Sequence, residues 1–294
     1  MTLSEIQIWI LAIRPKTLCA AFAPVLIGTS MAFKDGGAHW PSAIAALLGA
    51  LLIQIGTNLA NDYFDFQKGA DHSERIGPTR VTQAGLVTPN AMKLAIVLTF
   101  ALTILISTYL IQRGGLPIAV IGVLSILSGI FYTAGPYPLG YLGLGELFVL
   151  IFFGPVAVGG TYYVQTLTIN WIPIIAGLAP GLLSVAVLTV NNLRDREGDQ
   201  KAGKKTLAVR FGQTFARMEY FSAIAVALII PIVLVAATRE SWYCLSAVML
   251  SIFVARLVKI INTSTDGPTL NNVLADTGKL TLIYSIIFSL GWML

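Results

Sequence analysis

The stretch Ile44–Asp71, IAALLGALLIQIGTNLANDYFDFQKGAD, decides the fold. Its first part is apolar over the length of a membrane span, because a hydrocarbon core of about 30 Å needs about 20 apolar residues in helix. Its second part sets Asp62, Asp65 and Asp71 at the boundary of that span. Carboxylates are costly beside hydrocarbon and mark function when they persist there. Working outward, apolar stretches of the same kind lie near 17–33, 42–61, 93–111, 116–133, 143–165, 172–191, 218–238, 241–261 and 278–294. The chain reads as an all-α integral membrane protein with nine transmembrane helices packed as a bundle.

Composition agrees with this reading. Of 294 residues 56% are hydrophobic and 11% charged, with a mean hydropathy of +0.79, against roughly 25% charged in soluble domains. With the N-terminus inside, only Lys34, Arg113 and Arg239 of the 19 Lys and Arg fall on the outer side, as the positive-inside rule requires. The net charge of +5 follows from this asymmetry and from attraction to anionic lipid; no nucleic-acid partner is expected. Localisation in the cytoplasmic (inner) membrane is expected, with the N-terminus and the polar loops on the cytoplasmic side. Arg14 and Lys16 follow an amphipathic first segment, the reverse of a cleaved signal, so the first helix is read as retained. Cys19 and Cys244 sit far apart in apolar runs and form neither a disulfide framework nor a zinc site.

Two internal loops are long and polar, roughly 62–92 and 192–217. They share a pattern: Thr57-Asn58-x-x-x-Asp62 is matched by Thr189-x-Asn191-x-x-x-Asp195. An even number of spans separates them, so a parallel repeat would open both motifs on one membrane face. The expected organisation is a single domain of two pseudo-repeats, roughly 17–133 and 143–261, plus a last helix.

If the second span stays helical past the membrane edge, Asn58, Asp62 and Asp65 share one face. Asn191, Asp195 and Asp199 do the same in the second loop. Two facing carboxylate clusters repel unless cations lie between them. Mg²⁺ suits them, since it takes oxygen ligands and completes its shell with water and substrate phosphate. Arg75, Arg80, Lys201, Lys204 and Lys205 add positive charge for a polyanionic group, and the combination reads as a diphosphate site. His72 lacks a partner histidine and reads as exposed. Asp71 and Glu74 leave the helical face and balance Arg75 and Arg80, while Arg196 and Glu197 point away from the Asp195 and Asp199 face.

The segments NDYFD, GAD, GPTRVTQAG and NNLRDREGDQKAGKKTLAVRFG resemble the UbiA superfamily of intramembrane aromatic prenyltransferases, over nearly the whole chain. IRPKTL and YTAGPYPLGYLGLGE are similar to its menaquinone branch, the 1,4-dihydroxy-2-naphthoate polyprenyltransferases. The resemblance implies a nine-helix bundle around a lipid-open cavity. It implies Mg²⁺ as cofactor, and polyprenyl diphosphate and a dihydroxynaphthoate-type acceptor as substrates. It further implies decarboxylation to demethylmenaquinone. Asp62, Asp65, Asp195 and Asp199 are the expected catalytic metal ligands. Asn58, Asn61, Arg80, Asn191, Asn192, Lys201 and Lys205 are the expected diphosphate contacts, Arg80 and Lys205 directly by the resemblance. Where many relatives carry a third acid in the first motif, this chain has Gly69, with Asp71 displaced by two.

An allylic diphosphate ionises when its leaving group is neutralised, and the cation that remains must be kept from water. Phe131, Tyr132, Tyr137 and Tyr141 lie on the side of the acidic motifs and are candidate aromatic faces for the cation or the substrates. Alternatives are a prenyltransferase for 4-hydroxybenzoate or homogentisate, or more remotely a cation-coupled membrane transporter. Transporters commonly hold such acids at the bilayer midplane in inverted repeats; here both motifs sit at one face beside basic loops.

Overall fold

The computed structural model describes residues 3–69, 77 and 79–294. The expectations for Asp71, His72, Glu74 and Arg75 lie outside these residues. The described chain is helical throughout: α1 (Glu5–Ile13), α2 (Pro15–Lys34), α3 (Trp40–Gln67), α4 (Pro89–Phe131), α5 (Gly145–Phe152), α6 (Pro155–Thr166), α7 (Trp171–Lys201), α8 (Leu207–Thr238), a 3-10 stretch (Trp242–Leu250) continuing into α9 (Ser251–Thr263), and α10 (Gly267–Met293).

Among the described residues, eight helical segments are long and apolar enough to cross a membrane. One of them is really two. At 43 residues, α4 as a single rod would measure roughly 65 Å, about twice the hydrocarbon core. Gly115, at φ 69° and ψ −155°, breaks it, a backbone conformation that only glycine adopts without strain. The two halves fold back as a hairpin. Thr133, just past the end of α4, donates to Asn61 Oδ1 at 3.0 Å, at the acidic end of the molecule. Beside the break, Tyr163 donates to the Gly114 carbonyl at 3.1 Å, at the other end. The break restores the nine crossings read from the sequence.

A second break divides the fifth crossing into α5 and α6 at Gly154-Pro155. A Cβ on Gly154 would lie 2.7 Å from the Gly177 carbonyl oxygen and 3.2 Å from Gly181 Cα. Glycine on both sides therefore lets the broken helix approach α7 backbone to backbone, the close contact that small residues permit between membrane helices. The main apolar core joins α7, α8 and α10, where Tyr284 and Phe288 stack at 6.0 Å and Phe288 and Trp292 at 5.7 Å.

Both polar loops of the sequence reading are partly helix. The second span continues to Gln67 and the sixth to Lys201, so each motif stands on a rigid helical extension. At the opposite end Arg113 closes α6, its Nε donating to the Val164 carbonyl at 2.8 Å and its Nη2 to that of Gln165 at 2.9 Å. These satisfy two carbonyls that the helix end leaves without partners. Arg113 thus has a structural task far from the acidic motifs. Arg113→Ala should cost about 2 kcal/mol of stability, whereas Arg239→Ala, at an exposed position, should change it by less than about 0.5 kcal/mol. Thermal unfolding in detergent reads the difference; equal melting temperatures would contradict the capping role.

Candidate active site

The helical extension of α3 points Asn58, Asp62 and Asp65 inward, and all three are buried. Asp62 is 1% exposed. Its two oxygens accept from the backbone N–H groups of Val81 and Thr82, each at 3.1 Å. It anchors the loop that returns from the first motif. That anchoring sets the neighbouring Arg80 against Asp65, with Nη2 to Oδ2 at 2.9 Å. Asp65 Oδ1 accepts from the Tyr141 hydroxyl at 2.8 Å and lies 3.5 Å from Lys204 Nζ.

On α7, Arg194 grips Asp195 with both arms, Nε to Oδ1 at 2.8 Å and Nη2 to Oδ2 at 2.6 Å. The same guanidinium donates to Asn191 Oδ1 at 2.8 Å and to Asn271 Oδ1 of α10 at 2.7 Å. Lys204 Nζ is 3.6 Å from Asp199 Oδ1, so one ammonium lies between an acid of the first motif and an acid of the second. The strap after α4 closes over this point. The ammonium groups of Lys68 and Lys204 lie 4.8 and 4.9 Å from the Tyr141 ring centroid. The strap is tied to the second loop by Lys205 N–H to the Tyr141 carbonyl, 2.8 Å, and by Arg210 Nη2 to the Leu142 carbonyl, 2.8 Å. Burial pushes the Lys68 pKa below its ordinary value; Asp65 opposes that fall and Lys204 adds to it.

A cavity of about 590 Å³ begins at Asp65, Asp195 and Asp199 and reaches Leu110, Ile118 and Val164 near the opposite end. Its acidic end is also lined by Asn58, Asn61, Arg80, Asn191, Asn192, Tyr132, Tyr141 and Lys204. Five of the expected site residues do not line it, among them Phe131, which is 47% exposed at the end of α4. Asp62 is occupied with loop amides, as described. Lys201 is exposed, because a step of two residues from Asp199 carries it to the far side of the helix. Lys205 is exposed as well, with Lys204 taking the inward position, and Tyr137 is 77% exposed on the outside of the strap. The sequence reading missed the placement of Lys204, Arg194 and Arg14. Two adjacent lysines gave it no means of choosing between them, and Arg194 and Arg14 meet partners remote in sequence, Asn271 for the first and Asp62 Oδ2, 4.0 Å from Arg14 Nη2, for the second.

The four asparagines differ in the hydrogen-bonding groups they have left. A carbonyl or carboxylate only accepts and a guanidinium only donates, so such partners fix which way an amide faces. Asn58 donates to the Ile13 carbonyl at 2.8 Å and to Thr17 Oγ1 at 2.9 Å. Asn192 donates to Glu146 Oε1 at 2.8 Å. Asn58 thus has no N–H left for a diphosphate oxygen, and its Oδ1 already accepts from Gln54 Nε2 at 3.5 Å; Asn192 keeps its second N–H and its Oδ1. Asn191 accepts from Arg194 and Asn61 from Thr133, so these two keep their N–H groups for an anion.

The donor set fits a hard divalent cation. Asp65 and Asp199 hold a positive charge between them in the form of Lys204. Mg²⁺ takes such carboxylate oxygens and completes its shell with water and substrate phosphate.

A model of the UbiA prenyltransferase family matches residues 21–272. The chain belongs to that family. It is 38% identical to the 1,4-dihydroxy-2-naphthoate octaprenyltransferase of Escherichia coli, covering 98% of this chain and 96% of the relative. It is 36% identical to the protein of the same name from Haemophilus influenzae, covering 99% and 97%. A UbiA homologue from Archaeoglobus fulgidus, bound to DMAPP and Mg²⁺, shares the fold with a TM-score of 0.65 at 16% identity, covering 96% of this chain and 99% of that one. The molecule is thus an integral-membrane prenyltransferase of the UbiA type, with both acidic motifs at one end of its cavity.

For this UbiA family member the inward lysine is the informative one. Lys204→Ala should lower kcat/KM for a prenyl diphosphate by about a hundredfold or more, since a charge-assisted contact to the leaving group strengthens in the transition state. Lys205→Ala should change it by less than about threefold, in line with an exposed charge. Steady-state kinetics at matched expression decide the matter, and a larger loss for Lys205→Ala would reverse the assignment.

Proposed function

We propose that this chain is an aromatic prenyltransferase of the cytoplasmic membrane, with its N-terminus and active-site loops on the cytoplasmic side. It transfers a polyprenyl group from polyprenyl diphosphate to a dihydroxynaphthoate, with release of carbon dioxide, giving the quinol form of demethylmenaquinone. One observation carries the reading. The acids of both motifs, Arg80 and Lys204 meet at one end of a cavity whose remainder is mostly apolar. The activity in the names of the relatives at 36–38% identity over nearly the full chain supports the naphthoate acceptor.

In this mechanism Asp65, Asp195 and Asp199 would hold Mg²⁺, which when bound supplies charge neutralisation for the leaving diphosphate. Arg80, Lys204 and the N–H groups of Asn61 and Asn191 hold the diphosphate oxygens. Their hydrogen bonds strengthen as the allylic C–O bond breaks and charge moves onto the leaving oxygen. The prenyl chain lies in the apolar part of the cavity, which it enters from lipid. Tyr132 and Tyr141, which line the acidic end, present aromatic faces where the allylic cation forms, a contact worth about 2 kcal/mol when desolvated. Exclusion of water keeps that cation for the ring. The ring donates an electron pair to form the new C–C bond. The bond to the carboxylate carbon then breaks, its pair returns to the ring, and CO₂ departs, so no ring proton has to be removed.

Purified protein given Mg²⁺, a polyprenyl diphosphate and carboxyl-labelled 1,4-dihydroxy-2-naphthoate should release labelled CO₂ and prenylated quinol in equal amounts. EDTA should abolish both, and added Mg²⁺ should restore them. Full turnover in chelator would refute the metal assignment, and prenylation of 4-hydroxybenzoate in preference to the naphthoate would refute the acceptor.

A further inference from the structure

Asn192 is a cavity-lining side chain to which the mechanism above gives no part. It is 7% exposed, and its amide N–H₂ donates to Glu146 Oε1 at 2.8 Å. Glu146 is itself 7% exposed and sits in the first turn of α5. With Nδ2 bonded to Glu146 Oε1, the amide turns its Oδ1 away from Glu146. Its oxygen Oδ1 accepts no hydrogen bond from the described residues. Oδ1 is open to the cavity that Asn192 lines, where a ligand that supplies a donor can meet it.

Neither a diphosphate nor a prenyl chain has such a donor; a ring hydroxyl has. Asn192 lies seven residues before Asp199 on α7, which is nearly the same helical face and about 10 Å along the axis toward the membrane. The wall beside it is aromatic. Phe148 lines the cavity two residues after Glu146 and stacks on Phe152 at 6.1 Å, with the planes 17° apart. Tyr132 packs close by, its hydroxyl 2.7 Å from where a Gly145 Cβ would stand. A planar hydroxylated ring placed here would lie just membrane-side of the leaving group.

We infer that Asn192 is the specificity-determining residue for the aromatic acceptor, its Oδ1 accepting from a ring hydroxyl, and that Glu146 is the positioning residue that holds the amide this way round. In a dihydroxynaphthoate the hydroxyl beside the carboxylate is closed into an internal hydrogen bond. The hydroxyl that Asn192 reads is therefore the one remote from the carboxylate. This assignment rests on the acceptor class proposed above. Its recognition step involves no proton transfer.

The test pairs the natural-type acceptor with its mono-methyl ether at the remote hydroxyl, using full-length protein in nanodiscs with a polyprenyl diphosphate. Wild-type protein should prefer the hydroxyl acceptor by about tenfold or more in kcat/KM. Asn192→Ala should lose a similar factor on the hydroxyl acceptor and treat the two acceptors alike within about twofold. Glu146→Ala should reduce the preference by releasing the amide, and Glu146→Gln, which can still offer an acceptor to Asn192, should recover part of it. KM for the prenyl diphosphate should stay within about twofold in every variant, which also reports that each has folded. A preference retained in Asn192→Ala, or a loss confined to the diphosphate KM, overturns the inference. So does a wild-type protein that ignores the methyl group, a result that needs no variant. If wild type instead turns over a different phenol, the acceptor class falls, and the same hydroxyl and methyl-ether pair made on that ring still decides the role of Asn192.

Discussion

A carboxylate at the edge of a bilayer has to be paired, because the desolvation cost of a lone charge there exceeds most single stabilising contacts. The acidic end of this molecule is organised by that constraint. Asp62 takes two loop amides, and in doing so shapes the segment that presents Arg80 to Asp65. Asp65 also receives the Tyr141 hydroxyl, which draws the strap across the cavity mouth. Asp195 is gripped by Arg194, whose remaining arm reaches Asn271 and ties α7 to α10. The groups that suit the site to an anion are thus the groups that hold its walls together.

The division of labour between the two ends follows. At the end away from the acids, the Gly115 break and the Arg113 cap settle where helices turn. At the acidic end, side-chain charge settles which loop lies over which helix. Lys204 joins these roles, standing between Asp65 and Asp199 where a metal-bound diphosphate is expected to bring its own charge balance. Its flexible stem allows it to move from carboxylate to phosphate as the ligand enters.

Much of this was legible in the sequence, for physical reasons. The crossings follow from apolar length. The hairpin in α4 follows from a run too long for one crossing, with Gly114-Gly115 and Pro117 in its middle. Helical spacing placed Asn58, Asp62 and Asp65 on one face, as found. What was not legible depends on partners remote in sequence. Asp62 and Asp65 are alike in local pattern, yet one meets backbone amides and the other meets Arg80 and Tyr141. Lys204 and Lys205 are adjacent, and only the strap decides which turns inward. The polarity of Asn58 and Asn192 is set by the Ile13 carbonyl and by Glu146, groups 45 and 46 positions away.

The central claim is that the two motifs form one site and act on one leaving group. A double-mutant cycle on Asp65→Asn and Asp199→Asn measures it directly, with kcat/KM for the prenyl diphosphate determined for wild type, both single variants and the double variant. Residues that act as a unit are strongly non-additive, so the double variant should be no more than a few-fold worse than the more damaged single variant. Losses that multiply, as for independent sites, would contradict the account.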